Sequence, residues 1–179
     1  YVIGDAILFH HAENKVSIVG RPSAQNWVAF QAEAGDYDVE VTRDERSVSN
    51  DKPRFTYRYQ IQGPKAEKVL EKVNRGRLPD VKFFHTGEFM IAGRTVCALN
   101  HGMSRTSGFE LWGPYREGKE VKAALVQAGK EFGLRQVGSR AYSTVSIESG
   151  WIPSPTPAVY AGEKMKPYRE WLSADGFEA

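Results

Sequence analysis

The segment FTYRYQI at residues 55–61 constrains the fold of this chain more than any other, because its apolar and polar side chains alternate without interruption. Successive side chains of a β-strand point to opposite faces, so this alternation predicts a strand with one buried and one polar face. Gly63 and Pro64 stop the strand, and Pro64 is typical of the first turn of a helix, where its missing amide costs nothing. The buried face of that helix is predicted to be Ala66, Val69, Leu70 and Val73.

The rest of the chain also alternates between strands and helices. Further strands are predicted at Val2–His10, Val16–Val19, around Val39 and Val41, and at Phe89–Ile91, Thr95–Leu99 and Phe109–Trp112. Helices are predicted after Ser23, which can cap a first turn, and from Glu117 to Phe132, where the following Gly133 suits a left-handed C-cap. Strands that are separated by helices and partly joined as hairpins predict an α+β fold, with a mostly antiparallel sheet and flanking helices.

Composition and charge exclude several classes of protein. With 24 Lys and Arg against 22 Asp and Glu in 179 residues, the formal net charge is +2, too even for a nucleic-acid binder. No apolar run approaches the roughly 20 residues of a membrane span, and no signal-peptide pattern is present. Cys97 is the only cysteine, so no internal disulfide can form, and a reducing, cytoplasmic location is predicted.

The histidines do not form a metal site by their spacing. His10 and His11 are adjacent in a predicted strand and therefore point to opposite faces, while His85 and His101 are isolated. No phosphate-binding loop, dinucleotide fingerprint or nucleophile elbow is present. The sequence thus predicts no metal and no nucleotide-type motif.

Glu110 is the first candidate binding residue. In the strand that contains it, Phe109 and Leu111 share one face, and Glu110 shares the other with Gly108 and Trp112. A carboxylate there can accept two hydrogen bonds from a planar amidine-like edge such as that of a pterin or guanine. An exposed strand glutamate without a ligand is the alternative.

Two basic residues are candidates for anion binding. Arg21 lies between the end of a strand and the start of a helix, where it could bind a ligand carboxylate or form a surface ion pair. Arg105 lies in the loop GMSRTSG at residues 102–108, which could cradle an anion or be a plain hairpin loop.

Tyr142 and Trp151 lie on either side of a segment that ends in Gly150 and a proline-rich run. A tyrosine hydroxyl is an effective general acid only within about 3 Å of a leaving group, because its reference pKa is about 10. The alternative is that both rings cover the edge of a core.

Together these segments resemble the glycine-cleavage T-protein superfamily of folate-dependent one-carbon transferases. QIQGPKA at residues 60–66 is similar to its LQGPKA, GFE at 108–110 to its GFE, and IESG at 147–150 to its LEAG. The segments YQIQGPKA, GFELWGP, KEFGL, VGSRAY, ESGWIPSP and YREWL resemble one branch more closely, the tetrahydrofolate-dependent O-demethylases of vanillate or syringate.

The resemblance implies a role for each candidate residue. Glu110 is expected to accept hydrogen bonds from the pterin amino edge of tetrahydrofolate, and Phe83 and Trp151 to line the folate pocket. Arg21 is expected to bind the carboxylate of a methoxy-aromatic acid. Tyr142 stands where ordinary T-proteins carry an Arg, and it is expected to protonate the departing aryl oxygen without a metal.

The resemblance also implies alternatives. T-proteins carry an Asp-Asp pair where this chain has Gly4-Asp5, which disfavours glycine-cleavage chemistry, but an aminomethyltransferase or a catalytically silent folate-binding fragment remains possible. The chain starts with Tyr1-Val2-Ile3 instead of Met and is expected to be a fragment. Residues 1–179 are predicted to be the central folate-binding region, with two sub-lobes that meet near residues 45–55, lacking an N-terminal part and a C-terminal domain and joined to the rest of the parent polypeptide.

Overall fold

The structure is a computed structural model that describes residues 3–45, 51–150 and 160–174. The chain divides into two compact units. One contains Tyr1–Arg43 and Ile152–Ala179, and the other contains Asp44–Trp151.

The second unit is built on a four-stranded antiparallel sheet. Its strands are β3 (Thr56–Gln62), β4 (Thr86–Ile91), β5 (Arg94–Asn100) and β6 (Gly108–Pro114), in the order β3-β6-β5-β4. Its helices are α2 (Ala66–Asn74), α3 (Gly118–Gly129) and α4 (Ser139–Glu148). The predicted α+β class, with an antiparallel sheet and flanking helices, is confirmed.

The core of this unit lies between one face of the sheet and helices α2 and α3. Of the apolar positions in the FTYRYQI alternation, Tyr57 and Ile61 are buried there and Tyr59 packs against them, whereas Phe55 precedes β3 and is exposed. Phe109 and Leu111 of β6 are buried in the same core. The predicted buried face of α2 is also confirmed, since Ala66, Val69 and Leu70 are buried and Val73 packs against them. Full burial of an aliphatic or aromatic side chain contributes about 1.5–3 kcal/mol, so these positions dominate the stability of the unit.

Two connections depend on left-handed backbone. Ala92 and Gly93 have φ values of 54° and 72° and form the turn of the predicted β4–β5 hairpin, which matches the right-handed twist of its strands. Gly133, with φ 76°, ends the helical segment as predicted.

The helix predicted from Glu117 to Phe132 is helical throughout, as α3 flanked by 3-10 turns at Tyr115–Glu117 and Lys130–Phe132. One predicted helix boundary in this unit is wrong. Pro64 lies in the turn before α2 and not in its first turn, because α2 begins at Ala66 with Lys65 at its N-cap.

The first unit contains the predicted hairpin, which consists of β1 (Ala6–Ala12) and β2 (Lys15–Gly20). It also contains α1 (Pro22–Ala34) and α5 (Lys166–Trp171). Tyr168 of α5 is buried among aromatic rings, with its centroid 4.9 Å from that of Trp27 and 5.2 Å from that of Phe30. This aromatic packing joins the two helices.

Two predictions for this unit are wrong. Helix α1 begins at Pro22 with Arg21 as its N-cap, and not after Ser23, because the fixed φ of proline suits the first helical position. No strand forms at Val39 and Val41. Both side chains are exposed, so a strand there would have no surface against which to bury its apolar face.

Across residues 3–45, 51–150 and 160–174, no helix is long and apolar enough to cross a membrane.

Candidate active site

The candidate site lies on the face of the sheet opposite helices α2 and α3. The register places Gln60 of β3 opposite Glu110 of β6, and Arg58 opposite Trp112. Directly opposed residues of antiparallel strands point to the same face, so these four side chains form one surface. As the sequence predicted, Glu110 and Trp112 share this face while Phe109 and Leu111 point into the core.

Glu110 forms an ion pair with Arg58 on this surface. Arg58 Nη1 donates to Glu110 Oε1 at 2.5 Å, and the two side chains are only 12% and 16% exposed. The alternative that Glu110 is an exposed strand glutamate therefore does not hold. Each of these two charges stabilises the other in the folded protein, because removing one partner of a buried ion pair lowers the stability by about 3–5 kcal/mol.

Trp112 contacts the Arg58 side of this ion pair. The Arg58 guanidinium carbon lies 5.2 Å from the centroid of the Trp112 ring, which is within the range of a cation–π contact. Trp112 is itself buried, so its ring restricts the positions that the guanidinium can take.

Cys97 borders the same surface, because it pairs with Trp112 across β5 and β6. Its pKa is raised above the ordinary value, chiefly by burial and secondarily by the Glu88 carboxylate, while Arg58 lowers it. At neutral pH this thiol is therefore protonated and a poor nucleophile.

Aromatic rings lie at one end of this surface. Phe83 is 68% exposed, and its centroid is 5.8 Å from that of Phe84 and 6.5 Å from that of His101. The His101 carbonyl oxygen accepts a hydrogen bond from Gln60 Nε2 at 2.7 Å, and Gln60 is the strand partner of Glu110. A chain of contacts thus connects the exposed Phe83 ring to the strand position opposite Glu110.

Phe84 has a φ of 60°, which is rare for a bulky side chain. Its amide donates to the Asn100 carbonyl oxygen at 2.8 Å, which holds the segment at the end of β5. Strained backbone of this kind is found at functional sites.

The loop between β5 and β6 is attached to the C-terminal end of α4. The Ser104 amide donates to Ser149 Oγ at 2.7 Å, and Ser104 Oγ donates to the Val145 carbonyl oxygen at 3.2 Å. Ser149 Oγ donates to the same carbonyl at 2.8 Å. The Ser104 amide is therefore not free to bind an anion, and this part of the loop holds α4 instead.

The remaining predicted residues are distributed as follows. Tyr142 lies in α4, and its side chain is outside the described part of the structure, as is the whole of Trp151. Arg21 is the exposed N-cap of α1 in the first unit, and within the described ranges no ion pair to it is found. Phe83, Glu110 and α4 belong to the second unit, whereas Arg21 belongs to the first.

Sequence reasoning missed Arg58 and Ser104. Arg58 stands on the polar face of the FTYRYQI alternation, which is the signal that could have identified it. Its pairing with Glu110 was not predictable because the two residues are 52 positions apart. Ser104 lies in a polar loop whose sequence contains no signal for a contact with a helix 41 to 45 positions away.

No cluster of three or more His, Cys, Asp or Glu side chains that could hold a metal ion occurs among the residues that the structure describes.

The sequence matches the family model of the GCVT N-terminal domain over residues 1–154. The chain therefore belongs to this family, and the predicted relationship to the T-protein superfamily is confirmed.

The curated relatives that match this chain carry two different names, O-demethylase and aminomethyltransferase. Syringate O-demethylase from Sphingobium sp. (strain NBRC 103272 / SYK-6) is 46% identical over 180 residues, which covers 100% of this chain and 39% of that protein. The aminomethyltransferase of Thermoanaerobacter pseudethanolicus is 26% identical, over 83% of this chain and 39% of that protein. The aminomethyltransferase of Clostridium botulinum (strain Okra / Type B1) is 28% identical, over 84% of this chain and 40% of that protein. The chain thus spans about two fifths of the length of these relatives.

Proposed function

We propose that this chain forms the folate-binding part of a tetrahydrofolate-dependent O-demethylase, an enzyme that moves a methyl group from a methoxy-aromatic acid to the cofactor. The substrate class is that of vanillate and syringate. The observation that carries the proposal is the 46% identity to syringate O-demethylase, which extends over the whole chain.

The chemistry of the Glu110 site fits tetrahydrofolate. Glu110 Oε1 is bound by Arg58, and among the described residues no hydrogen bond reaches Oε2. A carboxylate with a free oxygen beside an aromatic ring can accept the amino and ring N–H groups of a pterin edge, while the flat face of that ring packs on aromatic side chains. Phe83, which is exposed, and Trp151 are the rings that we assign to the cofactor.

When bound, tetrahydrofolate supplies the N5 nitrogen that accepts the methyl group. Glu110 contributes by fixing the orientation of the pterin, because two hydrogen bonds to one carboxylate leave little freedom of rotation. Alignment of this kind supplies much of the acceleration of a displacement at carbon.

Arg21 is proposed to bind the carboxylate of the aromatic acid. Its guanidinium is exposed and has no ion-pair partner in the ranges that the structure describes, so it is available to an anionic ligand. A guanidinium can bind a carboxylate through two parallel hydrogen bonds, which also fixes the plane of the ring.

Tyr142 is proposed to donate a proton to the aryl oxygen as the methyl group leaves. A phenol with a reference pKa of about 10 is a suitable acid for another phenol-type oxygen, because the two proton affinities are similar. Tyr142 lies in α4, the helix whose C-terminal end is held by Ser104.

An aminomethyltransferase is the second candidate, because enzymes of that name match 83% and 84% of this chain. Arg21 distinguishes the two functions. In a full-length enzyme that contains this sequence, Arg21→Ala is expected to raise the KM for vanillate or syringate severely. Unchanged turnover of the aromatic acid would exclude the assigned substrate class.

A catalytically silent folate-binding fragment is the remaining alternative. Titration of the 179-residue chain with tetrahydrofolate, followed by tryptophan fluorescence, tests whether the pocket is retained, and Trp151→Phe identifies the reporting ring. We further propose that residues 1–179 act as one central region of a longer cytoplasmic enzyme.

The proposed acid is tested by Tyr142→Phe in the full-length enzyme. We expect a loss of turnover of about 10²-fold or more, with unchanged affinity for tetrahydrofolate. Wild-type turnover would remove Tyr142 from the mechanism.

A further inference from the structure

We propose that Arg58 is a positioning residue for tetrahydrofolate, which it recognises indirectly by fixing the rotamer of Glu110. This inference rests on the proposed function, because it assigns to Glu110 the pterin edge of the cofactor. Arg58 acts through the carboxylate and is not itself assigned a contact with the ligand.

The geometry of the pair leaves one carboxylate oxygen available. Arg58 Nη1 is 2.5 Å from Glu110 Oε1, and no hydrogen bond within the described part of the chain reaches Oε2. The guanidinium therefore binds one oxygen and orients the other. A carboxylate held in this way presents a fixed acceptor to a ligand. Because its side chain is already ordered in the free protein, ligand binding does not have to include the entropy cost of ordering it.

The position of Arg58 is itself fixed. Its side chain is only 12% exposed, and its guanidinium carbon is 5.2 Å from the centroid of the buried Trp112 ring. Arg58 and Trp112 are also directly paired across β3 and β6, so the backbone register sets their separation. Arg58 is thus a rigid support and not a mobile surface residue.

The charge of the pair matters as much as its geometry. A carboxylate that is 16% exposed loses most of its hydration, and a neighbouring cation compensates for this loss. A pterin edge donates hydrogen bonds, and the carboxylate that Arg58 holds in place is an acceptor for them.

The same sheet offers a matched control. Arg94 Nη2 donates to Glu120 Oε2 at 3.0 Å, but these side chains are 44% and 56% exposed. Arg94→Met removes an Arg–Glu pair without affecting the surface that carries Glu110. The comparison between Arg58 and Arg94 therefore separates the effect of this surface from a general loss of charge.

The test is a double-mutant cycle on binding, measured by titration of the full-length enzyme with tetrahydrofolate. Arg58→Met is expected to raise the Kd about 10-fold or more, and Arg94→Met less than about 2-fold. In the Glu110→Gln background, Arg58→Met is expected to change the Kd less than about 3-fold, because the carboxylate that it supports is absent. An equal effect of Arg58→Met in both backgrounds would overturn the proposal.

A second variant keeps the test valid if Arg58→Met does not fold. Arg58→Lys retains the charge but loses the planar fork, and it is measured with tetrahydrofolate and with an analogue in which a methyl group replaces the 2-amino group. We expect the preference for tetrahydrofolate over the analogue to fall in Arg58→Lys. Equal weakening of both ligands would mean that Arg58 only stabilises the fold and would overturn the proposal.

Different results would contradict the role of Glu110 in cofactor binding and the role of Arg58 in positioning Glu110. If Glu110→Gln binds tetrahydrofolate as well as the wild type, the role of Glu110 in the proposed function is wrong. If Glu110→Gln weakens binding but neither Arg58 variant does, only the role of Arg58 is wrong.

Discussion

The rings of Tyr57 and Tyr59 stack on one face of β3 with their centroids 5.0 Å apart, but among the residues that the structure describes only the Tyr59 hydroxyl has a hydrogen-bond partner. Tyr59 donates to the Gly118 carbonyl oxygen at 2.9 Å. The Tyr57 hydroxyl is buried and has no partner within the described ranges. A polar group buried without a partner costs about 1–3 kcal/mol, whereas a satisfied one contributes about 1 kcal/mol.

Removal of these two hydroxyl groups is expected to have opposite effects. Tyr57→Phe should raise the free energy of unfolding by about 1 kcal/mol, and Tyr59→Phe should lower it by about 1 kcal/mol, because only the latter breaks a hydrogen bond. Urea denaturation of the 179-residue chain and both variants measures this difference. A lower stability of Tyr57→Phe than of Tyr59→Phe would contradict it.

Alkaline pH provides an independent test of Tyr57. Its pKa is raised above the ordinary value, first by burial and then by the Glu117 carboxylate. Because the folded-state pKa exceeds that of the unfolded chain, the contribution of this group is fully present below about pH 10 and is lost as the pH rises further. The stability of the wild type should therefore fall more steeply above pH 10 than that of Tyr57→Phe, as measured by urea denaturation at several pH values. Parallel curves would show that Tyr57 ionises as freely as in the unfolded chain.

Ser104 is expected to control the stability of helix α4. Ser104→Ala removes the hydrogen bond to the Val145 carbonyl oxygen, which is worth about 1 kcal/mol. Hydrogen exchange of the α4 amides should accelerate about 5-fold, because that energy is lost in the local opening equilibrium. Thr144→Ala is the control, since within the described ranges the one hydrogen bond of Thr144 Oγ1 is to the Ala141 carbonyl oxygen of the same helix. Equal acceleration in both variants would show that the loop does not hold α4.

The strain at Phe84 can be measured by comparing two truncations. Phe84→Gly and Phe84→Ala both remove the ring, but only glycine adopts a φ of 60° without a steric penalty. Phe84→Gly should be about 1 kcal/mol more stable than Phe84→Ala in urea denaturation. The reverse order would mean that this backbone conformation is not strained.

Local patterns predicted much of the sheet and its core. The alternation at residues 55–61 assigned Tyr57 and Ile61 to the buried face, and the pattern around Glu110 placed it on the opposite face. Both inferences depend only on the two-residue period of a strand, which neighbouring residues determine. The buried face of α2 was predictable from the 3.6-residue period of a helix, which is equally local.

Features that depend on tertiary contacts were not predictable. Arg58 meets Glu110 because β3 pairs with β6 in one register, and a shift of one residue would place the two side chains on opposite faces. Ser104 and Ser149 are 45 positions apart, and their contact depends on where α4 packs. Val39 and Val41 show the converse error, since their alternation is typical of a strand, yet they pair with no strand among the described residues and remain exposed.

The fate of the methyl group tests the proposed function most directly. The full-length enzyme that contains this sequence is incubated with tetrahydrofolate and syringate or vanillate carrying a ¹³C-labelled methoxy group, and the products are followed by NMR. We predict that the label appears as the N5-methyl group of 5-methyltetrahydrofolate, in an amount equal to the demethylated phenol. Label in formaldehyde or methanol, or no transfer to tetrahydrofolate, would contradict the proposal.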